Sequence, residues 1–103
     1  MEDIEVKNAK IDSTTLGFED HGIFTAFLHL NYGGSAQGFG GYSYQGLMSY
    51  KFLDGVLKTV GVDNWEDLPG KYIRVKCTRT KVVEIGNIIE DKWFNPEEGE
   101  DVI

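Results

Sequence analysis

The chain has a single cysteine, Cys77, and only two prolines in 103 residues. A lone cysteine closes no internal disulfide, so a core must be held by packing alone, and a reducing cytoplasm is the expected setting. No apolar run approaches the ~18 residues of a membrane span. The opening Met1-Glu2-Asp3-Ile4-Glu5 lacks the basic-then-apolar order of a secretory signal, and no membrane partner is expected. Histidine is equally scarce. His21 and His29 stand far from Cys77 without the paired spacing of metal ligands, so no metal is expected. Asp20 and His21 are turn neighbours that point apart and have no nucleophile beside them; no enzymatic activity and no cofactor are expected.

What is present is charge and patterning. The net charge is -7, but Glu97, Glu98, Glu100 and Asp101 supply four of the negatives. Residues 1–92 hold 13 acidic and 10 basic side chains and are only mildly acidic. Within them Lys71, Arg74, Lys76, Arg79 and Lys81 fall together with no intervening acid, a locally basic ribbon in an acidic protein.

Strand-like alternation begins in residues 3–18, where Ile4 and Val6 share one parity and Ala9 and Ile11 the other. This implies a bulge near Lys7 and Asn8. Glu19-Asp20-His21-Gly22 reads as a hairpin loop. In Ile23 to Tyr32 the even residues Phe24, Ala26, Leu28, Leu30 and Tyr32 form a core face, and Phe27 and His29 lie on a half-wet one. Residues 46–60 follow helical spacing, with Tyr50, Leu53, Val56, Leu57 and Val60 in one stripe flanked by Phe52, Gly55 weakening the helix, and Gly61 as its C-terminal cap. A short turn, Trp65-Glu66-Asp67-Leu68, precedes a type II turn at Pro69-Gly70. Lys71 to Thr78 then alternates with Ile73, Val75 and Cys77 inward, and Cys77 reads as a small core residue. Val82 to Glu90 completes a second hairpin, in which Gly86 marks a bulge or a close contact. The expected fold is α+β: a mostly antiparallel sheet of about four to five strands with one amphipathic helix on one face. Residues 1–94 form one domain, Trp93 and Phe94 tuck against it, and 95–103 are an acidic, mobile tail.

Two segments invite function. Tyr32 to Tyr44 holds five of the 13 glycines. It matches neither the phosphate-loop nor the dinucleotide spacing and does not open directly into the helix. It reads as a strand passing close to another backbone, or as a binding loop in which Gln37, Phe39, Tyr42 and Tyr44 offer rings and hydrogen bonds. The second segment is the basic hairpin, with Tyr72, Arg74, Lys76, Arg79 and Lys81. It is either a solvated edge whose charges prevent sheet aggregation or a surface for phosphates and bases. The acidic tail and the Glu19-Asp20 tip are solubilising, or imitate a phosphate backbone toward a basic partner.

The stretches Thr15 to Ile23, Tyr32 to Tyr42, Trp65-Glu66-Asp67-Leu68-Pro69-Gly70-Lys71, Ile85-Gly86-Asn87-Ile88 and Trp93-Phe94 together resemble a family of short bacteriophage and prophage proteins. In those relatives a longer segment separates the glycine motif from the helix, whereas here Tyr44 runs almost directly into it. The resemblance implies a phage setting, in the host cytoplasm, and no site. Asp67 to Val75 is also similar to the turn and basic strand that follow a helix in phage proteins that handle single-stranded DNA. The leading expectation is a non-enzymatic accessory protein that binds a host or phage macromolecule, with counter-defence as its role. The alternative is a single-stranded DNA-binding module using residues 71–81, and the third is a small-ligand or nucleotide-binding protein using the glycine segment.

Overall fold

The computed structural model describes residues 3–19, 21–41 and 45–97. Among these residues six strands, β1 (Glu5–Phe18), β2 (Phe24–Tyr32), β3 (Ser35–Gly41), β4 (Tyr72–Cys77), β5 (Val82–Gly86) and β6 (Trp93–Phe94), form one antiparallel sheet in the order β3-β2-β1-β4-β5-β6. A helix, α1 (Leu47–Val60), and a 3₁₀ turn (Trp65–Asp67) lie between β3 and β4. The fold is α+β, as the alternation and the single helical period require, with one strand more than the four to five expected.

β1 organises the sheet. Its first half pairs with β4 from Glu5↔Cys77 to Lys10↔Tyr72, and its second half pairs with β2 from Lys10↔Asn31 to Phe18↔Phe24. The sheet curls until β3 and β5 approach within 8 Å between Cα atoms without joining in a ladder. The expected bulge at Lys7 and Asn8 is corrected: the register shift lies between Ile11 and Ser13. Ile4 and Val6 simply face outward and are exposed, while Ala9 and Ile11 are buried.

The core lies between the sheet and α1. Ala26, Leu28, Leu30 and Tyr32 enter it from β2, Ile73, Val75 and Cys77 from β4, and Ile85 from β5. The helix stripe is rotated from its expected direction. Phe52, Val56 and Thr59 are the buried residues, Leu53, Leu57 and Val60 pack beside them, and Tyr50 is exposed. The sheet curls around one side of the helix, so Phe52 rather than Tyr50 meets Phe39 at 5.6 Å and Phe94 at 6.0 Å. Gly55 acquires a purpose beyond its helix cost: a Cβ there would meet the Phe94 ring. Gly61, left-handed, closes the helix by donating its N–H to Leu57 O at 2.9 Å. The turn at Pro69-Gly70 is closed by Lys71 N donating to Leu68 O at 3.1 Å.

Two C-terminal expectations are corrected. β5 ends at Gly86, so Ile89 lies in the following turn, 86% exposed. Asn95 is half-buried and Pro96 buried, so the packed body continues past Phe94; residues 98–103 of the expected tail lie outside the described residues. No helix among the described residues is long and apolar enough to cross a membrane.

Among the described residues, Tyr32 is the one group whose titration the fold shifts clearly. Burial raises its phenol above the ordinary value of 10.0, and the neighbouring Cys77 thiol, to which it hydrogen-bonds, adds to the effect. A raised acid favours the protonated form in the folded state. Its stabilising contribution is therefore complete below the unfolded phenol's range and is lost as pH rises through the folded value. In an alkaline titration followed by tyrosinate absorbance, one tyrosine is expected to ionise late, together with unfolding. If all tyrosines ionise in one step while the protein stays folded, Tyr32 is not shielded.

Candidate nucleic-acid interface

Because cross-strand partners share a sheet face, the register maps the side of the sheet turned away from α1. Lys10 is paired on both sides, with Asn31 of β2 and Tyr72 of β4. The next row runs Asn8, Arg74, Gly86 and Trp93 across β1, β4, β5 and β6. Lys76 and Glu84 follow. In the other direction the face continues through His29 and Phe27 of β2, opposite Gly38 and Gly40 of β3. One surface thus carries rings at Phe27, Tyr72 and Trp93 and cations at Lys10, Arg74 and Lys76.

The basic hairpin is only partly available. The Arg74 guanidinium lies over the Trp93 ring, 4.6 Å from its centroid, and donates to Asn87 O and Glu90 O, both at 2.8 Å. Lys76 Nζ sits 4.4 Å from the same ring and 3.6 Å from the Glu84 carboxylate. Trp93 fits here because Gly86 has no side chain; a Cβ at Gly86 would enter the indole. Asn87 completes the arrangement by donating Nδ2 to Thr59 O at 3.0 Å and Val60 O at 3.3 Å at the end of α1. Arg74 is therefore a clamp between β4 and the turn before β6. Tyr72, by contrast, is 59% exposed, and Lys10, Arg79 and Lys81 are exposed with no ion pair among the described residues.

The glycine segment is divided by the structure. Ser35 to Gly41 is β3, a strand in close approach to β2. Phe39 is corrected from a binding ring to a core residue, 4% exposed, because β2 register turns it inward opposite Leu28. Gln37 is half-buried opposite Leu30 on the same inward side. Tyr42 and Tyr44 lie outside the described residues. What the segment contributes outward is the absence of side chains: Gly38 leaves room for the Phe27 ring, which a Cβ would strike. Phe27 meets His29 edge-on at 4.8 Å, and His29 Nε2 is 3.0 Å from Thr15 Oγ1. Sequence reasoning missed Lys10, Phe27 and Trp93 as members of this face; the parity of Phe27 on a half-wet strand was the available signal.

A cavity of about 330 Å³ at the seam between β3 and β5 is lined by Gly40 and Lys81 together with Pro96 and Glu97. Gly40 also lines the cleft beside Phe27. Lys81 lines the seam cavity and not the cleft. His21, at the hairpin tip, contacts Glu19 Oε1 at 3.2 Å, whereas Cys77 is buried; no three metal-ligating side chains converge among the described residues. Compared with known proteins, the chain matches no family model, no curated protein and no solved structure.

Proposed function

We propose that this chain is a non-enzymatic binding protein whose ligand is single-stranded nucleic acid, laid across the sheet face opposite α1. The observation that carries the reading is the alternation of rings and cations on that face, with Lys10 set between Asn31 and Tyr72. Single strands are held by stacking, which any base can provide, and by cations that follow the backbone. The connectivity supports the same reading. A three-strand meander, a helix and a hairpin, with β1 shared between β2 and β4 and β5 brought round toward β3, is the arrangement of the OB barrel, whose second and third strands and adjoining loops bind oligonucleotides. Fold alone does not fix function, so the side chains carry the argument. In this reading Tyr72 and Phe27 stack on bases, and Lys10, Arg79 and Lys81 meet phosphates.

The test is an oligonucleotide titration across salt. Three phosphate contacts give a slope of log affinity against log salt of about -2 for a single strand. No binding at low salt, or binding indifferent to salt, would sink the reading.

A second reading, a protein partner for a phage accessory protein with a counter-defence role, is favoured by the tip of the first hairpin. Phe18 is 76% exposed there and meets Phe24 at 5.7 Å, with Leu16 and Ile23 also exposed. Changing Phe18 to Ser separates the two readings: under the second it abolishes capture of a protein partner, and under the first it leaves oligonucleotide affinity unchanged.

A further inference from the structure

The cleft beside Phe27, about 430 Å³, lies over β1, β2 and β3, and its composition selects what it accepts. Gly40 and Gly41 line it with backbone and no side chain. One wall is Phe27, held over Gly38 by the missing Cβ and braced by the His29–Thr15 pair. Bare backbone beside an aromatic ring leaves space for a planar heterocycle. Charge narrows the class. No Lys or Arg lines the cleft among the described residues, and Glu19 supplies a carboxylate. One of its oxygens, Oε1, receives the His21 backbone N–H and faces His21 Nδ1, both at 3.2 Å, which anchors the group. An ionised carboxylate only accepts hydrogen bonds. It repels phosphate and welcomes adjacent N–H donors.

We infer that the cleft takes the base of one nucleotide of the bound strand, and that the preferred base is guanine. The guanine ring nitrogen and exocyclic amine place two N–H donors side by side, matching a carboxylate. Thymine offers one N–H between two carbonyl oxygens, which the carboxylate opposes. Phosphates stay outside the cleft, with Lys81 across the seam at Gly40 and Lys10 further along the face. This inference rests on the strand-binding reading above and adds a base preference to it.

The experiment uses fluorescence anisotropy with labelled strands of about a dozen nucleotides, within the usual span of such sites. The strands are all-thymidine, the same with isolated guanines, and the same with inosine in place of guanine. The guanine strand is expected to bind about tenfold more tightly than the all-thymidine strand, the scale of one good two-point base contact. Inosine, lacking the exocyclic amine, loses most of that preference on the unaltered protein. Glu19→Gln removes the preference, so that the guanine and all-thymidine strands bind the variant alike. Equal affinity for all three strands, or a guanine preference that survives Glu19→Gln, overturns the inference and leaves strand binding intact. Failure of every strand to bind at low salt overturns both.

Discussion

Gly40→Ala is expected to lower stability by about 3 kcal/mol or more and the melting temperature by roughly 15 °C, out of a total of ~5–15 kcal/mol for a domain of this size. Two costs combine. Gly40 has φ 109°, where an L side chain is strained by ~1–3 kcal/mol. A Cβ would also meet the Ala26 carbonyl oxygen and stand 2.7 Å from Phe52 Cζ, and overpacking of this kind costs ~1–3 kcal/mol. Neither neighbour has room to give: Ala26 is held in β2 and Phe52 is fully buried. Gly41→Ala is the control, with φ 132° but its nearest obstacle, Phe27 Cδ1, at 4.0 Å. Thermal denaturation should show Gly40→Ala much the worse of the two. Equal losses would mean that backbone strain alone, and not the close crossing of β3 over β2 and the helix, explains the glycine.

The largest effect on function is expected from changing Lys10 to Glu and Tyr72 to Ala together, which should weaken binding of a single strand about 100-fold at low salt. Removing one stacked ring costs ~1–3 kcal/mol. Reversing one cation deletes a phosphate contact, adds repulsion, and flattens the salt slope by about 0.7. Since tenfold in affinity corresponds to ~1.4 kcal/mol, the two changes reach that range. Both side chains are exposed, so stability should move by no more than ~0.5 kcal/mol. Arg74→Ala should behave in the opposite way. Its guanidinium satisfies two carbonyls and covers Trp93, so its loss costs about 2 kcal/mol of stability. If the double variant binds as the parent does, the strand does not cross the β1–β4 part of the face.

The basic hairpin shows how far residue type can be read without contacts. A cluster of cations and a tyrosine at alternating positions correctly identifies an outward strand face, because alternation fixes which side each residue occupies. It does not reveal what comes to lie on that face. Trp93 is nearly twenty positions away and reaches Arg74 and Lys76 only because β6 pairs with β5 at Gly86. A residue that looks like a ligand contact in the sequence thus becomes an internal clamp. Lys10 and Phe27 look ordinary in sequence and gain their place through the pairing of β1 with two neighbours.

The sequence alone determined the α+β class, the strands from Phe24 to Tyr32 and from Tyr72 to Cys77 with their inward faces, and the helix with its cap at Gly61. Those features depend on local period and on the conformations that single residues allow, both of which are written in neighbouring positions. Only the tertiary structure decided the bulge at Asp12, the rotation of the helix stripe from Tyr50 to Phe52, the sixth strand and the burial of Phe39. Each depends on how far the sheet curls and on which side chain fills the space left by a glycine on another strand. The same dependence settles the glycine segment. Its composition marked it as exceptional, and the crossing of β3 against Ala26, Phe27 and Phe52 gave the reason.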